Sequence, residues 1–320
     1  MSSTTQLYLK PLPQLSDIID HYWFVEVNED NQHYKTTNSQ IHLPTGCVDW
    51  YFNYNDSYCD YWFENQYFRI GCNNSIFVGI RNIDKVLRSS MNKVPFKGMR
   101  VRFTLPGFYK LFAIPTKELY NDVFSSDDIL GGEIKILQEK IDVSKNHDER
   151  KVFLDQYFTY RLNKSSDKSA KISNTIKAIS TIKSYNGNIR LPSLLKHYCI
   201  SERSFERDIK LVAGITPKEL CQTYRVQNVI RELNLSQNVD WHQLVINNGY
   251  YDQAHLINEF KKVTSICPSS FVKNKNKEFT VAISFLVFLT DDNIKELVNK
   301  AIINYKSFEV ENSAGVNYCR

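Results

Sequence analysis

The spacing of apolar residues divides the chain into two patterns. Up to Thr104 it runs in short β-type stretches. CVDWYFNYN (Cys47–Asn55), SIFVGI (Ser75–Ile80) and GMRVRFT (Gly98–Thr104) are dense in Val, Ile, Phe, Tyr and Trp. Asn-Asp, Asn-Asn and Pro-Thr-Gly steps punctuate them. From Pro106 the period turns helical, through PGFYKLFAI, PTKELYNDVF, GEIKILQEKI and DERKVFLDQYFTYRLN, with Pro106 and Pro115 at helix starts. KSSDKSAK (Lys164–Lys171) is polar and reads as an interdomain linker. From Ile172 to Val272 every segment reads as a short helix. Ile172, Ile176, Ile179 and Ile182 recur three and four residues apart, and Asn186-Gly187 breaks that helix. A longer helix opens at Thr216-Pro217, with Glu219 completing a capping box. Its pattern runs to about Leu233, roughly 25 Å at 1.5 Å per residue.

The helical region repeats itself. SERSFERDIKLVAGITP (Ser201–Pro217) matches DQAHLINEFKKVTSICP (Asp252–Pro268) at a constant offset of 51 residues. Each copy starts on an N-cap residue, Ser201 or Asp252. Each then places apolar residues four and eight positions on, Phe205 and Ile209 or Leu256 and Phe260, the spacing of one buried face. Upstream, the apolar pair Leu194-Leu195 aligns with Val245-Ile246. Short helix, tight turn, second helix is the helix-turn-helix unit, and here it is present twice.

Charge sharpens this picture. The whole chain is only +5, but residues 161–275 hold 18 Lys or Arg against 9 Asp or Glu, a net +9. Residues 1–160 hold 17 against 20, a net −3. The basic excess falls on the duplicated helices, which points to a nucleic-acid partner for that segment. Seven scattered cysteines, odd in number and without Cys-x-x-Cys, do not form a disulfide framework. The opening MSSTTQLYLKPLPQ carries no signal-peptide pattern. The longest apolar run, VAISFLVFL (Val281–Leu289), is too short to span a bilayer. A cytosolic protein with no membrane association is expected.

The segment from about Ile172 to Val272 resembles the C-terminal DNA-binding domain of the AraC/XylS family of bacterial transcription regulators. The residues that carry the likeness are Ser201, Phe205, Arg207, Ile209, Lys210, Gly214, Thr216-Pro217 and Arg225-Val226 in the first half. In the second they are Gly249-Tyr250, Asp252, Leu256, Phe260-Lys261-Lys262 and Pro268. Ser265, Cys267, Asn258 and Trp241 depart from the family pattern. LKPLPQLSDIIDHYWFVEV, HLPTGCVDWYFNYN, FVGIRN and the run from Gly98 to Gly131 are similar to the sensor-like N-terminal domain of one branch of these regulators. The resemblance implies an α+β chain. A small β-barrel-like sensor or dimerisation domain with following helices (1–163) precedes the linker (164–171) and an all-α double helix-turn-helix domain (172–273). A strand-helix extension (274–320) follows. It also implies a small-molecule effector at the N-terminal domain, a homodimer, contact with RNA polymerase, activation, and a place in the bacterial cytosol or nucleoid.

Two such units joined by one helix address adjacent major-groove segments of double-stranded DNA, about 34 Å apart. The outward residues of the two second helices are then the base readers. Arg203 and Arg207 are suited to guanine and Glu206 to cytosine; Gln253 and Asn258 are suited to adenine, Ala254 to a thymine methyl, and His255 lies beside them. Ser201, Lys210, Lys261 and Lys262 are placed for phosphate. The competing reading is a ligand-binding or interaction module whose helices dock a protein partner. No enzyme, metal or cofactor is expected. His42 and Cys47 fit no standard metal spacing, RNIDKVLRSS lacks phosphate-loop glycines, and no Ser-His-Asp or Cys-His arrangement stands out. No cysteine precedes Cys47 to serve a repair methyltransferase.

Overall fold

We describe the protein from a computed structural model. It describes residues 4–27, 40–42, 46–72, 74–81, 87–91, 95–164, 172–236, 238–264 and 267–274. The expected strand and helix of the tail therefore lie outside the described residues, as does most of the expected linker.

Among the described residues, ten strands form two antiparallel sheets. They are β1 (Thr4–Leu9), β2 (Ile19–Val27), β3 (Gln40–His42), β4 (Asp49–Asn53), β5 (Cys59–Phe63), β6 (Gln66–Ile70), β7 (Ser75–Val78), β8 (Leu87–Met91), β9 (Phe96–Phe103) and β10 (Val123–Ser125). One sheet has the order β1-β2-β9-β4-β7-β10 and the other β3-β8-β5-β6. The fold is α+β, and barrel-like only loosely, since the two sheets face each other without closing into one. Between them lie Val25, Tyr51, Ile76, Val78 and Phe96 from the larger sheet and Tyr61, Phe63, Ile70 and Leu87 from the smaller. The alternate residues of the larger sheet, Tyr22, Phe24, Trp50, Phe52, Val101 and Phe103, point the other way into a helix-covered core. Trp50 fixes this packing, because its indole N–H donates to Ser126 Oγ at 2.6 Å.

The covering helices are α1 (Gly107–Phe112), α2 (Ser126–Leu130), α3 (Glu133–Val143) and α4 (His147–Lys164). PTKELYNDVF, which reads as helical, is a single 3-10 turn at Thr116–Leu119 followed by β10. Asn121 takes a positive φ of 56°, which ends the turn, and Val123 then pairs with Val78. Sheet pairing overrides local helix preference here.

Among the described residues, seven helices follow: α5 (Ser173–Ser184), α6 (Leu191–His197), α7 (Glu202–Ala213), α8 (Pro217–Leu235), α9 (Trp241–Asn247), α10 (Gln253–Thr264) and α11 (Pro268–Asn274). Thr216 and Glu219 form the capping box that opens α8. The break after α5 requires glycine. Gly187 has φ +74°, and a Cβ there would stand 2.1 Å from the Cys221 carbonyl oxygen of α8.

The cores divide unevenly. Phe205, Ile209, Val212, Leu220 and Tyr224 belong to the same apolar cluster as Trp50, Phe103 and Phe158. The second helix-turn-helix unit has a core of its own, built from Val226, Val229, Ile230, Leu233, Leu244, Val245, Leu256, Phe260 and Phe271. The first unit therefore shares its interior with the N-terminal domain, and the second does not.

Candidate nucleic-acid interface

α7 and α10 are both 12 residues long and stand 51 residues apart. On α7, Ser201 caps the helix by accepting from Ser204 N at 3.2 Å. Phe205 and Ile209 are buried; Glu202, Arg203, Glu206, Arg207 and Lys210 are exposed. On α10, Asp252 Oδ1 accepts from His255 N at 2.7 Å. Leu256 and Phe260 are buried; Gln253, Ala254, His255, Asn258, Lys261 and Lys262 are exposed. The predicted residues thus gather on one polar face of each helix, because the apolar pair on the opposite face anchors it.

Several of them are already engaged. Lys210 Nζ donates to Glu206 Oε1 at 2.9 Å, an i,i+4 pair. Arg207 is held along the helix by Asp208 Oδ1, 3.0 Å from its Nε and 2.8 Å from its Nη2. Asp208 is itself buried, and its Oδ2 accepts from Thr175 Oγ1 of α5 at 3.0 Å. The His255 ring stands edge-on to Tyr250, with centroids 5.3 Å apart.

Two structural acids were missed in the sequence. Glu259 is buried and receives Arg225 of α8 through Nη2 at 2.6 Å and Nε at 3.2 Å. Asp208 and Glu259 occupy the same place in the two copies, 51 residues apart, each just before an inward apolar residue. That equal offset was the available signal. Arg225 Nη1 also donates to Gly187 O at 3.4 Å, so one side chain ties α8, α10 and the turn after α5. The upward shift of the Arg225 guanidinium runs against its own burial and follows from hydrogen bonding and charge at Glu259.

The alignment of the short helices needs correction. The buried pair matching Leu194-Leu195 is Leu244-Val245, an offset of 50, and Ile246 is exposed. The bonds Ile200 N to Leu195 O and Tyr250 N to Val245 O, both 3.0 Å, keep that offset through the turn. Cys199 and Gly249 supply the positive φ, 54° and 65°. Tyr251 is then the extra residue of the second turn, 91% exposed at the mouth of α10. A constant offset read from the long helices could not show an insertion in the turn.

Comparison with known proteins agrees with this geometry. Residues 194–274 match a helix-turn-helix domain family, a span that runs from within α6 to the end of α11. The chain carries an AraC-type helix-turn-helix domain. That domain supports a DNA-binding transcription regulator. Residues 8–125 match a domain of unknown function, DUF6597, which covers both sheets of the N-terminal half. Among solved structures, the chain is similar to ToxT from Vibrio cholerae, with 13% identity over 85% of this chain and 98% of that one, TM-score 0.43. A second ToxT structure, bound to (E)-4-(8-methylnaphthalen-1-yl)but-3-enoic acid, gives 13% identity over 88% and 100%, TM-score 0.44. The AraC-like transcriptional activator CuxR gives 9% identity over 86% and 82%, TM-score 0.23. No curated protein matches the sequence. No described helix is long and apolar enough to cross a membrane.

Proposed function

We propose that α7 and α10 enter two successive major-groove segments on one face of double-stranded DNA. The observation that carries this is the pair of 12-residue helices, each capped, anchored and polar on its outer face, one before and one after a 19-residue helix in the chain. Arg203 reads guanine, and Arg207, aimed sideways by Asp208, reaches an adjoining base or its phosphate. Glu206 accepts from cytosine once Lys210 turns to phosphate. Gln253 and Asn258 read adenine, Ala254 meets a thymine methyl, and His255 with the exposed Tyr251 borders the second site. Lys261, Lys262 and the helix start at Ser201 hold phosphate, which adds affinity and salt dependence without sequence choice.

In this reading residues 1–163 form a sensor and dimerisation domain that takes a small-molecule effector, and residues 172–273 form the DNA-binding domain. Activation through RNA polymerase rests on the family likeness alone. A mobility-shift series on random-sequence DNA tests the interface. Wild type is expected to select a motif, and Arg203→Ala and Gln253→Ala to lose selectivity at one position each, about 10-fold or more. Unchanged selectivity in both variants, or no DNA binding, sinks the proposal.

A further inference from the structure

The stripe of α7 that faces away from its apolar anchors does not stop where the helix stops. At 3.6 residues per turn, Arg203, Arg207, Lys210 and Gly214 fall within about 60° of one another around the axis. Phe205, Ile209 and Val212 occupy the opposite side and are buried. Gly214 follows the last helical residue with φ +70°, but its N–H still donates to Lys210 O at 3.1 Å, so its Cα keeps the helical course. It stands at the C-terminal end of the exposed basic stripe.

The N-terminal domain occupies that end. A Cβ on Gly214 would lie 3.4 Å from Lys117 Cα, 3.5 Å from Lys117 N and 3.4 Å from the Tyr120 ring, all ordinary contact distances. Lys117 belongs to the 3-10 turn Thr116–Leu119, on which α7 packs, and Tyr120 closes that turn. Thr116 and Leu119 fix the turn in place, since both are buried and Leu119 shares one apolar cluster with Ile209, Val212 and Ile215. Lys117 is exposed, and among the described residues its side chain enters no ion pair or hydrogen bond. Glu118 is exposed beside it. At three residues per turn the two side chains leave the 3-10 turn about 120° apart, and it is the Lys117 backbone that meets Gly214. A basic residue of the N-terminal domain is thus set at the end of the row Arg203, Arg207, Lys210.

We infer that Lys117 holds a phosphate of the DNA segment read by α7, so that the N-terminal domain is part of the nucleic-acid interface. Recognition helices of helix-turn-helix units meet base edges with their N-terminal residues. α7 has 12 residues, about 18 Å at 1.5 Å per residue, whereas the major groove is about 12 Å wide. With Arg203 in the groove, the last turn of α7 comes out at the phosphate rim, and Lys117 comes with it. A lysine ammonium on its flexible stem meets a phosphate oxygen as a point charge. Such a contact is blind to sequence and releases one more counterion. The inference rests on the reading of α7 as a DNA-reading helix, and it adds a contact from outside the helix-turn-helix domain.

The test is a titration of the full chain on its selected duplex and on random-sequence DNA at several salt concentrations, with wild type, Lys117→Ala and Lys117→Arg side by side. Lys117→Ala is expected to bind both DNAs about 3- to 10-fold more weakly and to lower the slope of log K against log salt by about 1, with the selected motif unchanged. Lys117→Arg is expected to keep the wild-type affinity and slope. Phosphate ethylation interference places the contact. One phosphate flanking the base pair at which Arg203→Ala loses selectivity is expected to matter in wild type and to cease to matter in Lys117→Ala. An unchanged slope in Lys117→Ala, or an unaltered interference pattern, overturns the inference. Tighter binding by Lys117→Ala overturns it too, since the turn would then obstruct DNA. If wild type selects no motif, the reading of α7 fails and this contact with it. A selected motif with an unaffected Lys117→Ala removes this contact alone.

Discussion

At the scale of single residues, the proposed interface divides into side chains expected to choose and side chains expected to hold. Arg203 and Gln253 are exposed and face away from the anchors, so each is free to meet a base edge. Lys261→Ala is expected to weaken binding to every sequence alike and to lower the slope of log K against log salt by about 1, measured by titration at several salt concentrations. Arg225 and Glu259 belong to the frame. Arg225→Met leaves the Glu259 carboxylate buried without its cation, and a loss of about 3 kcal/mol in denaturant unfolding is expected. His21 sets a pH limit on the N-terminal half. Burial, helped by Arg102 and Arg100, pushes its imidazole down to about 4 from 6.5, against the pull of Asp20. The unfolded chain therefore binds more protons between those values. Stability is complete above about 6.5 and falls as pH drops toward about 4, and His21→Gln is expected to flatten that decline.

At the scale of elements, the sequence showed most where periodicity and capping agree. The capping box at Thr216 and Glu219, the buried faces of α7 and α10 and the glycine break at Gly187 were all legible, because each depends on residues close in the chain. Thr216→Ala is expected to cost about 1 kcal/mol through loss of the cap, read from the denaturation midpoint. What stayed hidden depends on distant partners. β10 exists because Val123 meets Val78, and Asp208 and Glu259 are buried because Thr175 and Arg225 await them. The exposed face of α7 and of α10 was legible in the apolar spacing. The restraint on Arg207 was not, since it comes from the buried neighbour Asp208. The one-residue insertion at Tyr251 was likewise out of reach until the turn bonds fixed the register.

At the scale of the molecule, α7 and α10 differ in how they are held. α7 packs on the core that also contains Trp50 and Phe103, whereas α10 packs on a separate one. At the junction, a Cβ on Gly214 would stand 3.4 Å from Lys117 Cα, and one on Gly46 would stand 3.2 Å from Thr223. Hydrogen exchange is expected to show α5 to α7 opening together with the sheets and α9 to α11 opening separately. The most direct measurement is hydroxyl-radical footprinting of the full chain on its selected DNA. Two protected windows on one face of the duplex, about 10 base pairs apart, are expected. A single window, or protection with no helical phase, contradicts the double insertion of α7 and α10.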